Sequence, residues 1–212
     1  ALKSDIIWYV EQEVNGEKVL VPQLYLSQAT LENIKSPTTT ISAQETLLVN
    51  SSTLVNQGRL EGKTVYVNTE NLINKSVGAL AAEISGTNIQ IDAVKDILNI
   101  GAVISAKEDL ILTAGGTISN ITTGVETTEH DRLNGKERTR VSDDIQNVGV
   151  IASGNTTAIS GENYVSKGAV TQSEGKVFIE ADNVSVNTIA LKDYERTKEN
   201  HGYDLYKTTE KL

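Results

Sequence analysis

The chain has 212 residues, a net charge of −9 and no cysteine. Because binding to a phosphate backbone requires a surplus of Lys and Arg, this charge argues against nucleic acid as a partner. The absence of cysteine excludes a disulfide framework, a thiolate metal site and a cysteine nucleophile. The sequence contains no apolar run long enough for a transmembrane helix and no recognisable signal peptide.

The residue types favour an all-β fold. Thr, Ser, Asn, Val, Ile and Gly dominate, while aromatic residues make up only 4% of the chain. This composition is typical of short β-strands joined by tight turns. No long window places apolar residues at the spacing of an amphipathic helix.

The first segment, residues 1–40, is predicted to be a β-hairpin followed by a connection. Apolar residues alternate on both sides of Asn15-Gly16, a strong short-range hairpin signal. Pro22 must lie on an edge or at a strand end, because proline cannot donate to a ladder. The connection includes a short helical turn near residues 29–35.

Residues 41–191 carry a repeat with a period of about twenty residues. The pattern of residues 54–74, LVNQGRLEGKTVYVNTENLIN, recurs at 98–120 and more loosely at 146–168. The first apolar residue of each coil marks the phase of the repeat. These residues are Ile41, Leu60, Ile84, Ile104, Ile151 and Val170.

Such a repeat predicts a parallel β-helix. A coil of short strands cannot satisfy its own backbone, but stacked coils pair in parallel and bury their inward side chains as one core. Small residues are expected at inward positions where the cross-section narrows. These are Gly62, Ala106, Ala114 and Ala181.

Asparagine and glycine recur at one corner of the coil. Asparagine adopts the left-handed backbone conformation at low cost and stacks in hydrogen-bonded ladders, and glycine two residues later is also permissive. We therefore predict a structural rather than a binding role. The predicted corner residues are Asn56, Gly58, Asn74, Asn99, Gly101, Asn120, Asn147 and Gly149.

The same corner is predicted to emit two excursions. Asn120 and Asn147 are 27 residues apart, which is too long for one coil. The excursion at about 121–147 centres on Asn134-Gly135 and is charged on both faces, which indicates a solvated hairpin. A second charged excursion, 192–212, follows Asn187 two coils along, so the two roots are expected roughly 10 Å apart.

No catalytic, cofactor or metal site is predicted. Paired carboxylates would suit a glycoside hydrolase or lyase, but the aspartates do not recur at one phase of the coil. His130 and His201 both lie in the excursions, where exposure is expected, and no metal-ligand spacing is present. The aspartates considered are Asp92, Asp96, Asp109, Asp143, Asp144 and Asp182.

Residues 4–27, SDIIWYVEQEVNGEKVLVPQLYLS, closely resemble a segment of the large two-partner secretion exoproteins of Gram-negative bacteria. These form the filamentous haemagglutinin and contact-dependent growth inhibition family. The resemblance continues through haemagglutinin repeats such as GRLEGKTVYVNTENLIN and through charged excursions such as KERTRV. It therefore covers nearly the whole chain.

The resemblance implies a right-handed parallel β-helix that is exported through an outer-membrane partner transporter and forms part of a cell-surface filament. It implies no enzyme activity for this portion, because the toxic activity of inhibitory members resides in a C-terminal domain. Repeats of the later class are implicated in toxin delivery.

Two functions remain open. The first is a non-catalytic, monomeric filament segment whose excursions contact a receptor on a host or neighbouring cell. The second is a carbohydrate-active β-helix enzyme or polysaccharide-binding module, for which carboxylates would have to cluster in one groove. The candidate partner contacts are His130, Arg132, Lys136, Arg138, Arg140, Tyr194, Arg196, His201, Tyr203 and Tyr206.

Overall fold

The computed structural model describes residues 6–14, 17–25, 39–133, 136–200 and 206–211. The chain divides into two units, residues 1–39 and 40–212, which are described separately. The helical turn predicted near residues 29–35 lies outside the described residues, as do His201, Tyr203 and the two Asn-Gly pairs of the predicted hairpins.

Every element in the described residues is a β-strand. In chain order the strands are β1 (Ile6–Val14), β2 (Glu17–Tyr25), β3 (Thr40–Asn56), β4 (Arg59–Lys75), β5 (Glu83–Ala93), β6 (Ile97–Ile100), β7 (Val103–Ala106), β8 (Asp109–Ala114), β9 (Thr117–Ile121), β10 (Thr123–Leu133), β11 (Lys136–Asn147), β12 (Val150–Ser153), β13 (Thr156–Lys167), β14 (Val170–Ser173), β15 (Lys176–Asn187), β16 (Asp193–Asn200) and β17 (Tyr206–Lys211).

The first unit contains the pair β1 and β2. The two strands are antiparallel, with a register that runs from Ile6 opposite Tyr25 to Val14 opposite Glu17. Pro22 lies opposite Tyr9. A two-stranded sheet can accommodate Pro22, because each of its strands has an outer edge where a residue without an N–H breaks no ladder hydrogen bond.

The second unit is a parallel β-solenoid, which confirms the predicted fold class. Each strand from β3 to β15, apart from β10 and β11, pairs in parallel with the strand one coil away. The long strands bend between the faces of the coil, so that β4 pairs with β5 along one part and with β6 along another. The backbone that a single coil leaves unpaired is thereby satisfied by its neighbours.

Alternation along the strands fills the interior with aliphatic side chains. Ile84, Ile104 and Ile151 lie in register and are fully buried, and Leu110 and Leu112 are buried in the same way on the next face. Two coils approach closely at Gly86, and glycine is required there because a Cβ would lie 2.8 Å from the carbonyl oxygen of Gly62.

The predicted phase of the repeat is correct as far as Ile151 and wrong for Val170. The column passes from Ile41 through Leu60, Ile84 and Ile104 to Ile151, and it continues at Thr171. Val170 pairs instead with Val150 on the outward face and is 40% exposed. Apolar residues on both faces of these coils disguise the one-residue shift.

The two excursions form a single sheet rather than two separate hairpins. β10 and β11 pair antiparallel, and β16 and β17 form a second antiparallel pair. β11 also pairs with β16, from Lys136 opposite Glu199 to Ser142 opposite Asp193. The strand order is therefore β10-β11-β16-β17. In the part of the chain that the structure describes, no helix is long and apolar enough to cross a membrane.

Candidate interaction surface and its roots in the solenoid

A hydrogen-bonded column of asparagines runs inside the corner of the solenoid. Asn56, Asn74, Asn99 and Asn120 lie in register on successive coils and are at most 5% exposed. The Nδ2 atoms of the first three donate to the Oδ1 of the next asparagine, over 2.8, 2.8 and 2.9 Å. We call these four side chains the asparagine ladder.

Each amide of the ladder also closes the corner. The Nδ2 atoms of Asn56, Asn74 and Asn99 donate over 3.1 Å to the carbonyl of the first strand residue after the next corner, and that of Asn120 does so over 2.8 Å. A buried amide without partners would cost about 1–3 kcal/mol, so these bonds explain why asparagine is accommodated in an apolar interior. The accepting carbonyls belong to Glu83, Val103, Val150 and Val170.

The ladder asparagines lie within strands β3, β4, β6 and β9 rather than in turns. Of the predicted corner glycines, Gly101 has a positive φ of 55°. Gly58 donates its N–H to Asn56 Oδ1 over 3.2 Å. Gly149 is buried, and a Cβ there would lie 2.6 Å from Asn120 Oδ1.

Asn147 was predicted as a corner residue, and this prediction is wrong. The position opposite Asn120 on the next coil is Ser166. Asn147 instead ends β11, opposite Thr123, and donates over 2.6 Å to the carbonyl of Gly78. Spacing along the sequence misassigned it because the excursion strand also ends in asparagine next to the corner.

Corners that turn tightly differ from corners that emit chain. Tight corners have glycine two residues after the ladder position, at Gly58, Gly101 and Gly168. Where chain is inserted, the same position carries a hydroxyl, at Ser76 and Thr122. The inserted chain is the short loop 76–82 in the first case and the hairpin of β10 and β11 in the second.

The two hydroxyls make the same pair of hydrogen bonds. Thr122 Oγ1 donates over 2.6 Å to the carbonyl of Gly168 on the next coil and accepts the N–H of Gly149 over 3.1 Å. Ser76 Oγ donates to the carbonyl of Gly101 and accepts the N–H of Ala82 over 2.9 Å. We call this arrangement the hydroxyl clamp, because one hydroxyl bonds both to the residue where the inserted chain rejoins the solenoid and to a carbonyl of the next coil.

Tight and emitting corners alternate along the solenoid. The tight corner at Gly101 separates the two clamps, and Gly168 separates the Thr122 clamp from the exit of the second excursion. The glycine is needed in both places, since a Cβ on Gly101 would lie 2.6 Å from Thr123 Oγ1 and one on Gly168 would lie 2.9 Å from Ile189 Cβ. The root of an excursion therefore packs directly on the tight corner before it.

One face of the projecting sheet carries an apolar pair and the root contacts. Val141 is 6% exposed and lies opposite Tyr194, which is half-buried. Nearer the root, Lys192 Nζ donates to Glu126 Oε2 over 2.9 Å, and the Lys192 backbone N–H donates to Asp143 Oδ2 over 3.0 Å. The hydrogen bond with Glu126 raises the pKa of Lys192, and the charges of Glu126 and Asp143 act in the same direction.

The opposite face carries ion pairs that join the two excursions. Arg138 Nε lies 3.3 Å from Glu195 Oε1, and Arg140 Nε lies 3.9 Å from Asp193 Oδ1. Both pairs are exposed, so each contributes at most about 1 kcal/mol. Two of the predicted partner contacts, Arg138 and Arg140, therefore make contacts within the sheet.

The remaining predicted contacts lie mainly on the Tyr194 face. His130 is exposed, with Nδ1 3.1 Å from Thr139 Oγ1, and Arg132 lies 3.5 Å from Glu137. Arg196 is exposed on β16. For Lys136 and Tyr206 the structure describes the strand positions, in β11 and β17.

The described residues contain no group of three or more His, Cys, Asp or Glu side chains placed to hold a metal ion. A shallow groove of about 720 Å³ crosses the coils outside the first bend, between residues 42 and 107. Its carboxylates include Glu61 and Glu83, and Glu83 is paired with Arg59 over 2.7 Å. The carbohydrate-active alternative requires carboxylates that cluster in one groove, and no such cluster forms among the described lining residues of this groove.

These features define the class of the molecule, which is a parallel β-solenoid with a projecting antiparallel sheet. No family model and no solved structure matches the chain. It is similar to the tRNA nuclease CdiA of Escherichia coli O6:K15:H31 (strain 536 / UPEC), with 32% identity over 57% of this chain and 4% of that protein. The tRNA nuclease CdiA of Yersinia mollaretii is 26% identical over 95% of this chain and 7% of its own length.

A third relative is the protein adenylyltransferase and cysteine protease IbpA of Histophilus somni, with 31% identity over 39% of this chain. The chain spans only 2% to 7% of the length of these relatives. Together with the solenoid, the similarities confirm the resemblance to a haemagglutinin-repeat segment of a two-partner secretion exoprotein.

Proposed function

We propose that this chain is a non-catalytic filament segment of a secreted bacterial surface exoprotein that acts in adhesion or contact-dependent growth inhibition. The solenoid is the scaffold, and the projecting sheet presents the contact surface or takes part in toxin delivery. The observation that carries this proposal is the root of the sheet: the hairpin of β10 and β11 leaves through the clamped corner at Thr122, which keeps the coils stacked. Variable chemistry is thereby placed on a rigid frame, as expected for functional loops.

The setting of this function follows from the relatives. Because the chain resembles a segment of the two-partner secretion exoproteins, we propose that the parent protein lies at the bacterial surface after export through an outer-membrane partner transporter. A receptor on a host or neighbouring cell is the proposed partner of the sheet. The enzymatic names of the relatives apply to proteins of which this chain matches only a small part, and they are not transferred to it.

The structure suggests a precise excision as the test. Deleting residues 123–148 and changing Thr122→Gly leaves the order Asn, Ile, Gly, Gly, Val, which has the spacing of the tight corner from Asn99 to Val103. We expect the parent exoprotein with this change to reach the surface normally and to lose most of its adhesion or target-cell killing.

A matched control shortens the other emitting corner by the same rule. Deleting residues 77–81 and changing Ser76→Gly converts that corner to Asn, Lys, Gly, Ala, Glu. This variant keeps β10 and β11, so it should reach the surface normally and retain far more adhesion and killing than the first variant. Full activity of the first variant at normal surface levels would contradict the proposed role of the projecting sheet.

A further inference from the structure

We propose that the outer edge of β10 is a binding site for an extended, basic segment of a partner protein, which adds to the projecting sheet as an antiparallel strand. This proposal rests on the proposed function only in treating the sheet as an interaction surface. It specifies where on the sheet the partner binds and what chemistry it has.

In the part of the chain that the structure describes, the outer edge of β10 is unpaired. The strand order places β10 at one end of the projecting sheet, with β11 on its inner side. Among the described residues no strand pairs with its outer side. An extended edge offers alternating N–H and C=O groups, which supply the affinity when a peptide adds to a sheet.

The spacing of the excursions explains why the outer side of β10 has no neighbouring hairpin among the described residues. Neighbouring strands lie about 4.8 Å apart both in the stacked coils and in the projecting sheet, so a two-stranded hairpin covers the height of two coils. Excursions leave at alternate corners, and their hairpins therefore fit side by side. Two coils before Thr122, the clamped corner at Ser76 emits only the short loop 76–82, which leaves the place next to β10 unfilled.

The base of this place is apolar. Val77 and Leu80 of the short loop are 51% and 43% exposed, and Val125 near the start of β10 is 40% exposed. The loop is held next to the sheet by the hydrogen bond from Asn147 Nδ2 to the carbonyl of Gly78. An added strand would cover these side chains at its root.

Charge selects the partner. β10 carries three acids, Glu126, Glu129 and Asp131, against one arginine, Arg132. On its inner side, Glu129 lies opposite Arg140 and Asp131 lies opposite Arg138. A basic strand on the outer side would lie next to the same acids, whereas pairing of two copies through β10 would bring together two strands that each carry a surplus of acids. The edge therefore favours a basic strand from another protein over a second copy of this chain.

The test uses a labelled synthetic peptide, KERTRVS, which copies residues 136–142 of β11. Titrated onto the 212-residue chain, it should bind saturably and more weakly as salt is raised. Hydrogen exchange should show new protection in β10 amides with no loss of protection in β11. A scrambled peptide and one with its three basic residues changed to glutamate should not bind.

Two N-methylated peptides provide the control for backbone pairing. Successive N–H groups of a strand point to opposite sides, so methylation of one alternate set should weaken binding about tenfold or more and methylation of the other set should not. Equal effects of both sets, no binding, or loss of protection in β11 would overturn the proposal. Because the binding assay is independent of adhesion and killing, a peptide that binds while the excised exoprotein stays active would refute the proposed function alone.

Discussion

At the scale of single residues, asparagine side chains bridge neighbouring coils both in the interior and on the surface of the solenoid. Asn99 is fully buried and makes bonds on both sides within the ladder, while Asn68 donates over 3.0 Å to Asn50 on the exposed surface. Both pairs join neighbouring coils. Burial, rather than the existence of a bond, therefore decides how much each contributes to stability.

Replacing Asn99→Ala should destabilise the solenoid by about 2–4 kcal/mol, because it opens a cavity and leaves the carbonyl of Val150 without the Asn99 donor. The measurement is the urea midpoint of unfolding followed by circular dichroism. Asn68→Ala is the matched control and should change the free energy of unfolding by no more than about 0.5 kcal/mol. Equal losses in the two variants would contradict the structural role of the ladder.

The hydroxyl clamp predicts a different result at Thr122. Thr122→Val keeps the shape of the side chain and removes both hydrogen bonds, so it should cost about 1–3 kcal/mol. The specific readout is faster hydrogen exchange at the Gly149 amide, which the hydroxyl accepts. Thr122→Ser retains the hydroxyl and should keep most of the protection of the Gly149 amide. An unprotected Gly149 amide in the unmodified chain would rule the clamp out.

At the scale of elements, each hairpin strand could be predicted locally but the joined sheet could not. The strand pattern and the turn signal predicted that chain leaves the coil near residue 121. Pairing of β11 with β16 depends on the match between the height of two coils and the width of a hairpin, which no local window contains. The oppositely charged residues at Arg138 and Glu195 were visible in the sequence, but their partnership was not.

The root of the sheet predicts a measurable pH dependence. Glu126 raises the pKa of Lys192, so their contribution to stability is fully present below the ordinary lysine value of 10.5 and is lost as the pH rises through the raised pKa. Changing Glu126→Gln should lower the pKa of Lys192, measured by NMR titration of the side-chain amine. Asp144→Asn, on the opposite face, should leave the Lys192 pKa unchanged. A Lys192 pKa insensitive to Glu126→Gln would refute the contact.

At the scale of the whole molecule, the inward columns explain why the repeat was readable and where it failed. A one-residue slip would turn every buried side chain outward, so aliphatic residues such as Ile84 and Ile104 fix the register strongly. The column passes to Thr171 where Val150 and Val170 occupy outward positions, and the pattern then no longer distinguishes the two faces. The ladder likewise passes from Asn120 to Ser166, which spacing alone did not reveal.

The stacked arrangement predicts that stability depends on position along the solenoid. Ile104→Ala, in a fully buried position, should cost about 2–5 kcal/mol, while Ile179→Ala, at 37% exposure in β15, should cost far less. Urea unfolding gives the total change, and hydrogen exchange shows which coils open. Equal losses in the free energy of unfolding for the two variants would contradict the prediction that stability depends on position along the solenoid.

The asparagine ladder also has a direction. Every Nδ2 from Asn56 to Asn120 donates toward the coil that comes later in the chain, and none of these bonds points back. A stack that ends at one of these coils therefore presents amide donors at one end and side-chain carbonyls at the other. The two ends are chemically unlike. When the chain folds from its earlier coils to its later ones, each new coil accepts hydrogen bonds from the donors of the coil before it. Two stacks joined through their donor ends would set donor against donor.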